Sequence, residues 1–361
     1  MKIAIIDGPI NFKLLQKNFS NIHYILSVDE YFSVYSNYVT HGTICSSVLI
    51  SQFEDNLSSG QVEIIYLALD FLDDGFSLDG LISAIRRCAA LKVDIVSLSL
   101  GTSDRSSVAD FINVFNEASI PLIIAAASND LRITYPAALH EVLGVKRALQ
   151  GGSAINSWQA KPIDGIEIIA HPDDKTIKIV QQMSGSKSRP DSNSFLVPQV
   201  CAYIARIAIR KNIQVGKASV HSLLTEKEVD AKLLPTAFIN PKPINDIPVI
   251  MLSYSPSEQR HILGKAIDIQ KHFETLGYPC SLISDLTISN NFVEGRYSLI
   301  GNDYINLLNN YKYMISDSMI LLLWNNEKKP LPNDFCVEFC LLKNTVVLAK
   351  QILAHFNKEE P

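Results

Sequence analysis

A carboxylate, an imidazole and a hydroxyl stand in contexts suited to proton transfer and nucleophilic attack. Asp7 closes the apolar run Ile3-Ala4-Ile5-Ile6. That places a carboxylate at the carboxyl edge of a predicted strand, where open α/β sheets gather their functional groups. His41 opens His41-Gly42-Thr43-Ile44-Cys45, the polar start of an apolar helical run, so its ring projects from a first helical turn and is available to move a proton. Ser194 stands where the polar loop Asp191-Ser192-Asn193 runs into an apolar helix with Pro198 near its start. Main-chain N–H groups and the dipole at such a helix start favour negative charge, which a serine attacking a carbonyl generates as the oxyanion forms. Taken singly, each residue also has an ordinary structural use. Asp7 can begin a turn or cap a helix, His41 can be a surface histidine, and Ser194 can be a helix cap.

These groups need a scaffold, and the hydrophobic pattern supplies one. Short apolar runs over residues 2–6, 62–67, 94–99, 121–126 and 142–145 read as strands. Between them, Leu81, Ile82, Ile85, Cys88 and Ala89 fall at helical spacing within 78–91, and Val108, Phe111, Ile112, Val114 and Phe115 do so within 106–118. Strands alternating with such helices predict an α/β fold, a parallel sheet flanked by helices.

The chain has 361 residues, of which 47% are hydrophobic and 19% charged, the balance of a packed globular protein. A formal net charge of -5 without a long basic block argues against nucleic acid as a partner. Apolar runs such as 120–127 and 319–324 fall well short of the roughly 20 residues that cross a bilayer, so no membrane partner is expected. The cysteines, Cys45, Cys88, Cys201, Cys280, Cys336 and Cys340, sit mostly among apolar neighbours and read as reduced buried thiols. With no signal-peptide pattern after Met1, a cytoplasmic location is expected. Three prolines within 239–248 mark a linker. The expected domains are therefore 1–238, a linker at 239–248, and a smaller α/β domain at 249–361.

The ordered set of segments resembles the subtilisin-like serine peptidases, the subtilase family, over roughly residues 1–215. Ile3-Ala4-Ile5-Ile6-Asp7-Gly8 resembles the strand ending in the family's triad aspartate, and His41-Gly42-Thr43 its histidine motif. Ser192-Asn193-Ser194-Phe195-Leu196-Val197-Pro198 matches the serine motif at the nucleophile and the proline. Val96-Ser97-Leu98-Ser99-Leu100-Gly101 resembles the strand lining the substrate cleft. Ala125-Ala126-Ala127-Ser128-Asn129 resembles the segment carrying the oxyanion-hole asparagine, and Tyr135-Pro136-Ala137 supports that register.

The resemblance implies Ser194 as nucleophile, His41 as base and then acid, Asp7 as the orienting carboxylate and Asn129 as oxyanion donor. It further implies Ser99, Leu100 and Gly101 as the edge that pairs with an extended peptide substrate. Ser192, Asn193, Ser128 and Gln199 depart from the family's glycine, threonine, glycine and histidine. A serine at a position requiring positive φ would be strained. The family's calcium ligands have no match here, and Asp70, Asp73, Asp74 and Asp79 read as a solvated acidic loop. No metal and no cofactor are expected. Ser184 to Asp191 reads as a polar loop beside the nucleophile.

With the aspartate at residue 7, the resemblance leaves no room for the signal and inhibitory propeptide of secreted subtilases. That predicts an intracellular endopeptidase acting on a selected precursor peptide, such as the leader of a ribosomally made product. The alternative is a catalytically inactive subtilase-like protein that binds peptides or serves as a scaffold.

In the smaller domain, residues 249–252, 280–283 and 319–324 read as strands and 264–276 as a helix. The segment from Val249 to Ala266 has the layout of a degenerate P-loop, with Gly264-Lys265 followed by alanine where serine or threonine would hold Mg²⁺. Nucleotide hydrolysis is therefore not expected, and recognition of the substrate's leader suits the domain better. Cys336, Cys340 and His355 are too sparse for a zinc site.

Overall fold

The computed structural model describes residues 1–19, 26–53, 61–72, 75–148, 156–158, 164–184, 189–224, 247–299, 304–338 and 344–356. The chain divides into two compact units, Met1–Leu233 and Leu234–Pro361. Most of the expected proline-rich linker lies outside the described residues, as do Asp73, Asp74, Cys340 and the centre of the loop before Asp191.

The first unit begins with β1 (Lys2–Asp7), α1 (Phe12–Asn18), β2 (Leu26–Val28), α2 (His41–Ser51) and β3 (Glu63–Ala68). A short pair, β4 (Phe71–Leu72) and β5 (Gly75–Phe76), precedes α3 (Leu78–Ala90), β6 (Ile95–Leu98), α4 (Val108–Ala118), β7 (Leu122–Ala126) and β8 (Leu143–Arg147). The unit closes with β9 (Asn156–Trp158), β10 (Ile168–Ala170), α5 (Asp174–Ser184), α6 (Asn193–Lys211) and α7 (Lys217–Leu224).

Eight strands form one sheet in the order β2-β3-β1-β6-β7-β8-β10-β9, parallel except where β9 meets β10. β1, β6 and β7 are apolar along nearly their whole length because helices cover both faces of the sheet. Parallel pairing sends the ends of these three neighbours to one edge, so Asp7, Ser99 and the segment reaching Asn129 emerge side by side.

Helix α2 is buried along nearly its whole length after His41, although it contains Thr43, Ser46, Ser47 and Ser51. Ser46 and Ser47 donate back to the carbonyls of Gly42 and Thr43, both at 2.8 Å, which satisfies hydroxyls that burial would otherwise strand. A small apolar cluster of Ile44, Cys45, Val48, Val180 and Phe195 joins α2 to α5 and α6.

The second unit contains β11 (Val249–Tyr254), α8 (Gln259–Thr275), β12 (Cys280–Ser284), β13 (Arg296–Ser298), α9 (Tyr304–Met314), β14 (Met319–Asn325), β15 (Phe335–Glu338) and α10 (Thr345–Phe356). Its parallel sheet runs β13-β12-β14-β11-β15. The P-loop reading is corrected here. A single 3-10 turn over Pro256–Glu258 joins β11 to α8, which has already begun at Gln259. Gly264 and Lys265 therefore lie inside a helix, where their amides are spent on helical bonding and cannot wrap a phosphate.

Among the described residues, none of Cys45, Cys88, Cys201, Cys280 and Cys336 is in a disulfide; the first four are buried as expected, but Cys336 is exposed, and no helix is long and apolar enough to cross a membrane.

Candidate active site

Asp7 ends β1 between β3 and β6, with 1% of its side chain exposed. Its Oδ1 accepts the Gly8 N–H at 2.8 Å, and its two oxygens lie 2.9 and 3.0 Å from His41 Nδ1. A carboxylate only accepts, so Nδ1 carries a proton, and in the neutral ring Nε2 keeps the lone pair that a base needs. Burial alone would lower the His41 pKa, but the adjacent Asp7 carboxylate lifts it well above the ordinary imidazole value.

The residues around the imidazole fix its place. Thr40 caps α2 by accepting the Thr43 N–H at 3.2 Å, and its hydroxyl donates to the Pro9 carbonyl at 2.5 Å. Thr43 Oγ1 accepts the Asn11 N–H at 2.8 Å, so the histidine's helix is laced to the segment that follows Asp7. Gly42 makes room for Tyr66, whose hydroxyl donates to the Gly8 carbonyl at 2.6 Å and would be overlapped by a Cβ at residue 42. Phe195 stacks on the His41 ring, with centroids 5.4 Å apart and planes inclined by 29°.

Ser194 is the second residue of α6, and its main chain lies close to the imidazole through Cys45. The Cys45 Sγ is 3.8 and 3.9 Å from the two ring nitrogens and 3.6 Å from the Ser194 carbonyl. The Ser194 hydroxyl is turned to Ser192 Oγ at 3.0 Å, and among the described residues no hydrogen bond joins it to His41. Asn129 donates from Nδ2 to Ser192 Oγ at 3.0 Å and accepts the Asn193 N–H at 2.8 Å. Asn129 is thus linked to Ser194 through Ser192, one of the residues that depart from the family's serine motif.

Neither altered glycine position is strained. Ser192 has φ -62 and ψ 135, and the positive-φ residues other than glycine among those described are Lys92, Ser119, Leu131 and Asn212, not Ser128. Ser128 turns its hydroxyl to Asp130. Asn193 is buried and acts as a staple. Its Nδ2 donates to the carbonyls of Ala127 and Ser128 at 3.0 and 2.9 Å, while its Oδ1 accepts the Arg147 N–H at 2.7 Å. Gln199 does similar work on the other side of α6. It accepts from Asp173 N and Thr176 Oγ1 at 2.9 and 2.8 Å, and donates to the His171 carbonyl at 2.8 Å.

Pairing of β6 with its neighbours stops at Leu98, so Ser99, Leu100 and Gly101 continue as an edge beside the site. They line a cleft of about 520 Å³ together with Asp7, His41 and Phe76. An added Cβ at Gly101 would stand 2.8 Å from the Tyr135 carbonyl, which explains the glycine. The Ser99 hydroxyl is committed within the chain. It donates to the Ser194 carbonyl at 2.7 Å.

Among the described residues, the cluster with the chemistry of metal ligands is Asp7, His41 and Cys45, whose ligand atoms lie within 4.8 Å of one another. Burial pushes the Cys45 thiol up, so it stays protonated near neutral pH, and Nδ1 is already committed to Asp7. The cluster fits hydrogen bonding better than coordination.

A family model described as the subtilase family matches residues 1–230. No curated protein matches the sequence. Similar solved structures include the prenylagaramide maturation protease PagA, 19% identical over 68% of this chain and 84% of that one, with a TM-score of 0.39. A lanthipeptide protease is 14% identical over 64% and 86% of the two chains, with a TM-score of 0.42. The nisin leader peptidase NisP from Lactococcus lactis is 13% identical over 60% and 79%, with a TM-score of 0.38. The family match spans the strand, helix and loop segments that carry Asp7, His41, Asn129 and Ser194, and the chain belongs to the subtilase family of serine peptidases.

Proposed function

We propose that this chain is an endopeptidase in which Asp7, His41 and Ser194 act as a catalytic triad on a precursor peptide in the cytoplasm. The observation that carries the reading is the fork of Asp7 oxygens on His41 Nδ1, which leaves Nε2 basic beside the Ser194 segment. A rotation about the Ser194 Cα–Cβ bond turns its hydroxyl from Ser192 toward the imidazole. Its Oγ then attacks the peptide carbonyl carbon while its proton passes to Nε2, and Asp7 stabilises the imidazolium. Asn129 Nδ2 and the main-chain N–H at the start of α6 donate to the oxyanion. The C–N bond breaks as Nε2 returns the proton to the leaving amine. Water, deprotonated by His41, releases the acyl group from Ser194 as a carboxylic acid.

Two features support a peptide held in extended form. Among the described residues the edge at Ser99–Gly101 has no strand partner, and an extended chain can pair with it through its main chain. The tethered second unit supports a precursor substrate, because holding one segment of a long peptide raises the effective concentration of its scissile bond.

A fluorophosphonate probe tests the triad. It should label the full chain, but not Ser194→Ala or His41→Ala, and failure to label the folded protein overturns the catalytic reading. Long and short synthetic peptides sharing one cleaved bond test the precursor assignment. The long peptide should give the higher kcat/KM, and equal values remove that assignment.

A further inference from the structure

One N–H of Asn129, the proposed oxyanion donor, is taken in this structure by the chain's own hydroxyl. Ser192 Oγ lies 3.0 Å from Asn129 Nδ2 and 3.0 Å from Ser194 Oγ. An amide nitrogen only donates, so Ser192 Oγ is the acceptor of the Asn129 N–H. An oxyanion must lie about 2.7–3.1 Å from its donor. A carbonyl under attack must also bring its carbon within about 3–3.5 Å of the nucleophile. The Ser192 hydroxyl satisfies the first distance and stands against the same nucleophile.

The asparagine is not the movable partner. Its Oδ1 is held by the Asn193 N–H at 2.8 Å, and Asn193 is itself tied to the ends of β7 and β8. Ser192 has more freedom. It is half-buried, lies at the N-cap of α6, and makes no side-chain capping bond. A turn about its Cα–Cβ bond carries the hydroxyl toward water without unmaking the helix start.

We propose that Ser192 is a positioning residue whose hydroxyl plugs the oxyanion site of the free enzyme and parks Ser194 away from His41. An incoming peptide carbonyl takes the Asn129 N–H from Ser192, and the same displacement releases the Ser194 hydroxyl to turn to Nε2. A ligand with enough cleft contacts to drive the exchange reacts readily, whereas a small electrophile meets a parked nucleophile. This inference rests on the triad assignment and concerns the residue that controls it.

The test compares Ser192→Ala, Ser192→Gly and Ser192→Thr in the full chain. Without peptide, fluorophosphonate labelling of Ser194 should be about fivefold faster in the alanine and glycine variants, the equivalent of one net hydrogen bond. KM for a peptide substrate should fall by a similar factor. The threonine variant keeps the hydroxyl and should retain the parent's rates. Labelling at or below the parent's rate in both the alanine and glycine variants overturns the plug. So does a lower kcat with unchanged KM, which would make Ser192 a further oxyanion donor. A helix-capping role alone would lower the thermal midpoint without accelerating labelling, which also overturns it. If the parent and all three variants neither label nor cleave, the triad assignment fails and takes this inference with it. Labelling that ignores residue 192 defeats the plug alone.

Discussion

Ser99 donates its hydroxyl proton to the main-chain carbonyl of Ser194 over 2.7 Å. That carbonyl needs an outside donor because Pro198, four residues along α6, has no N–H to return to it. The Cys45 thiol adds a weaker contact at 3.6 Å. The proline of the serine motif thus exchanges a helical bond for one that ties Ser194, the proposed nucleophile, to the cleft strand. Ser99→Ala should cost about 1–2 kcal/mol of stability, since a buried carbonyl loses its main donor. Pro198→Ala in the same chain restores a helical N–H and should recover most of the loss. Urea unfolding of the parent, both single variants and the double variant checks this as a cycle, and simple additivity would refute the exchange.

The Asp7 and His41 pair should make activity and stability run in opposite directions with pH. Catalysis needs a neutral Nε2, so kcat/KM should rise with pH through a pKa above the ordinary imidazole value. The folded pKa is raised, so the stabilisation by this pair is fully present below the unfolded pKa of about 6.5 and is lost as pH rises through the folded one. Asp7→Asn removes the charge that lifts His41. Its acid limb should move to lower pH, with turnover reduced on the order of 10⁴-fold. A pH–rate profile of both proteins decides the matter, and an unmoved acid limb would assign that titration to another group.

Gly42 is required by contact and not by backbone conformation. A Cβ there would overlap the Tyr66 hydroxyl and approach the Gly8 carbonyl to 3.0 Å. Gly42→Ala should therefore cost about 1–3 kcal/mol through overpacking. Tyr66→Phe removes the oxygen in the way, so the double variant should be less destabilised than the sum of the single ones. Thermal unfolding of the three variants measures the coupling, and strict additivity would place the strain elsewhere.

The placement of Asp7, His41 and Ser194 at the ends of elements was legible in the sequence, whereas Asn129 was read only through the resemblance to the subtilases. The strand expected over 2–6 is Lys2–Asp7, and the helix expected over 78–91 is Leu78–Ala90. Side-chain commitments were not legible. Ser99 reads as cleft edge, yet its hydroxyl serves a carbonyl exposed by a proline far along the chain. Asn193 reads as a departure from the motif, yet it joins α6 to two strand ends. The P-loop reading failed by giving a short glycine-lysine match more weight than periodicity. Ile262, Ala266, Ile269 and Phe273 form a buried helical stripe that runs past Gly264, where a Cβ would meet nothing within 4 Å. α5 was missed because only Thr176 and Val180 are fully buried in it; Ile179 and Met183 are partly buried against the same small cluster and are interrupted by lysine and glutamine.

The Asn193 staple offers a test of how Asn129, the proposed oxyanion donor, is held. Asn193→Ala strands the Arg147 N–H and withdraws a shared donor from the carbonyls of Ala127 and Ser128, at a cost of about 2–3 kcal/mol. Asn193→Asp has nearly the same shape and is the more informative change. One of its oxygens can still accept from Arg147 N, but the other replaces a donor and faces two carbonyl oxygens. Near neutral pH the aspartate variant should be less stable than the alanine variant, despite filling the site. Acidification protonates the carboxyl and restores a donor, so the gap should close as pH falls. Chemical unfolding of both variants across pH reads the crossover. If the aspartate variant stays the more stable at neutral pH, the hydrogen-bond polarity assigned to Asn193 is reversed and Asn129 is held by the main chain alone.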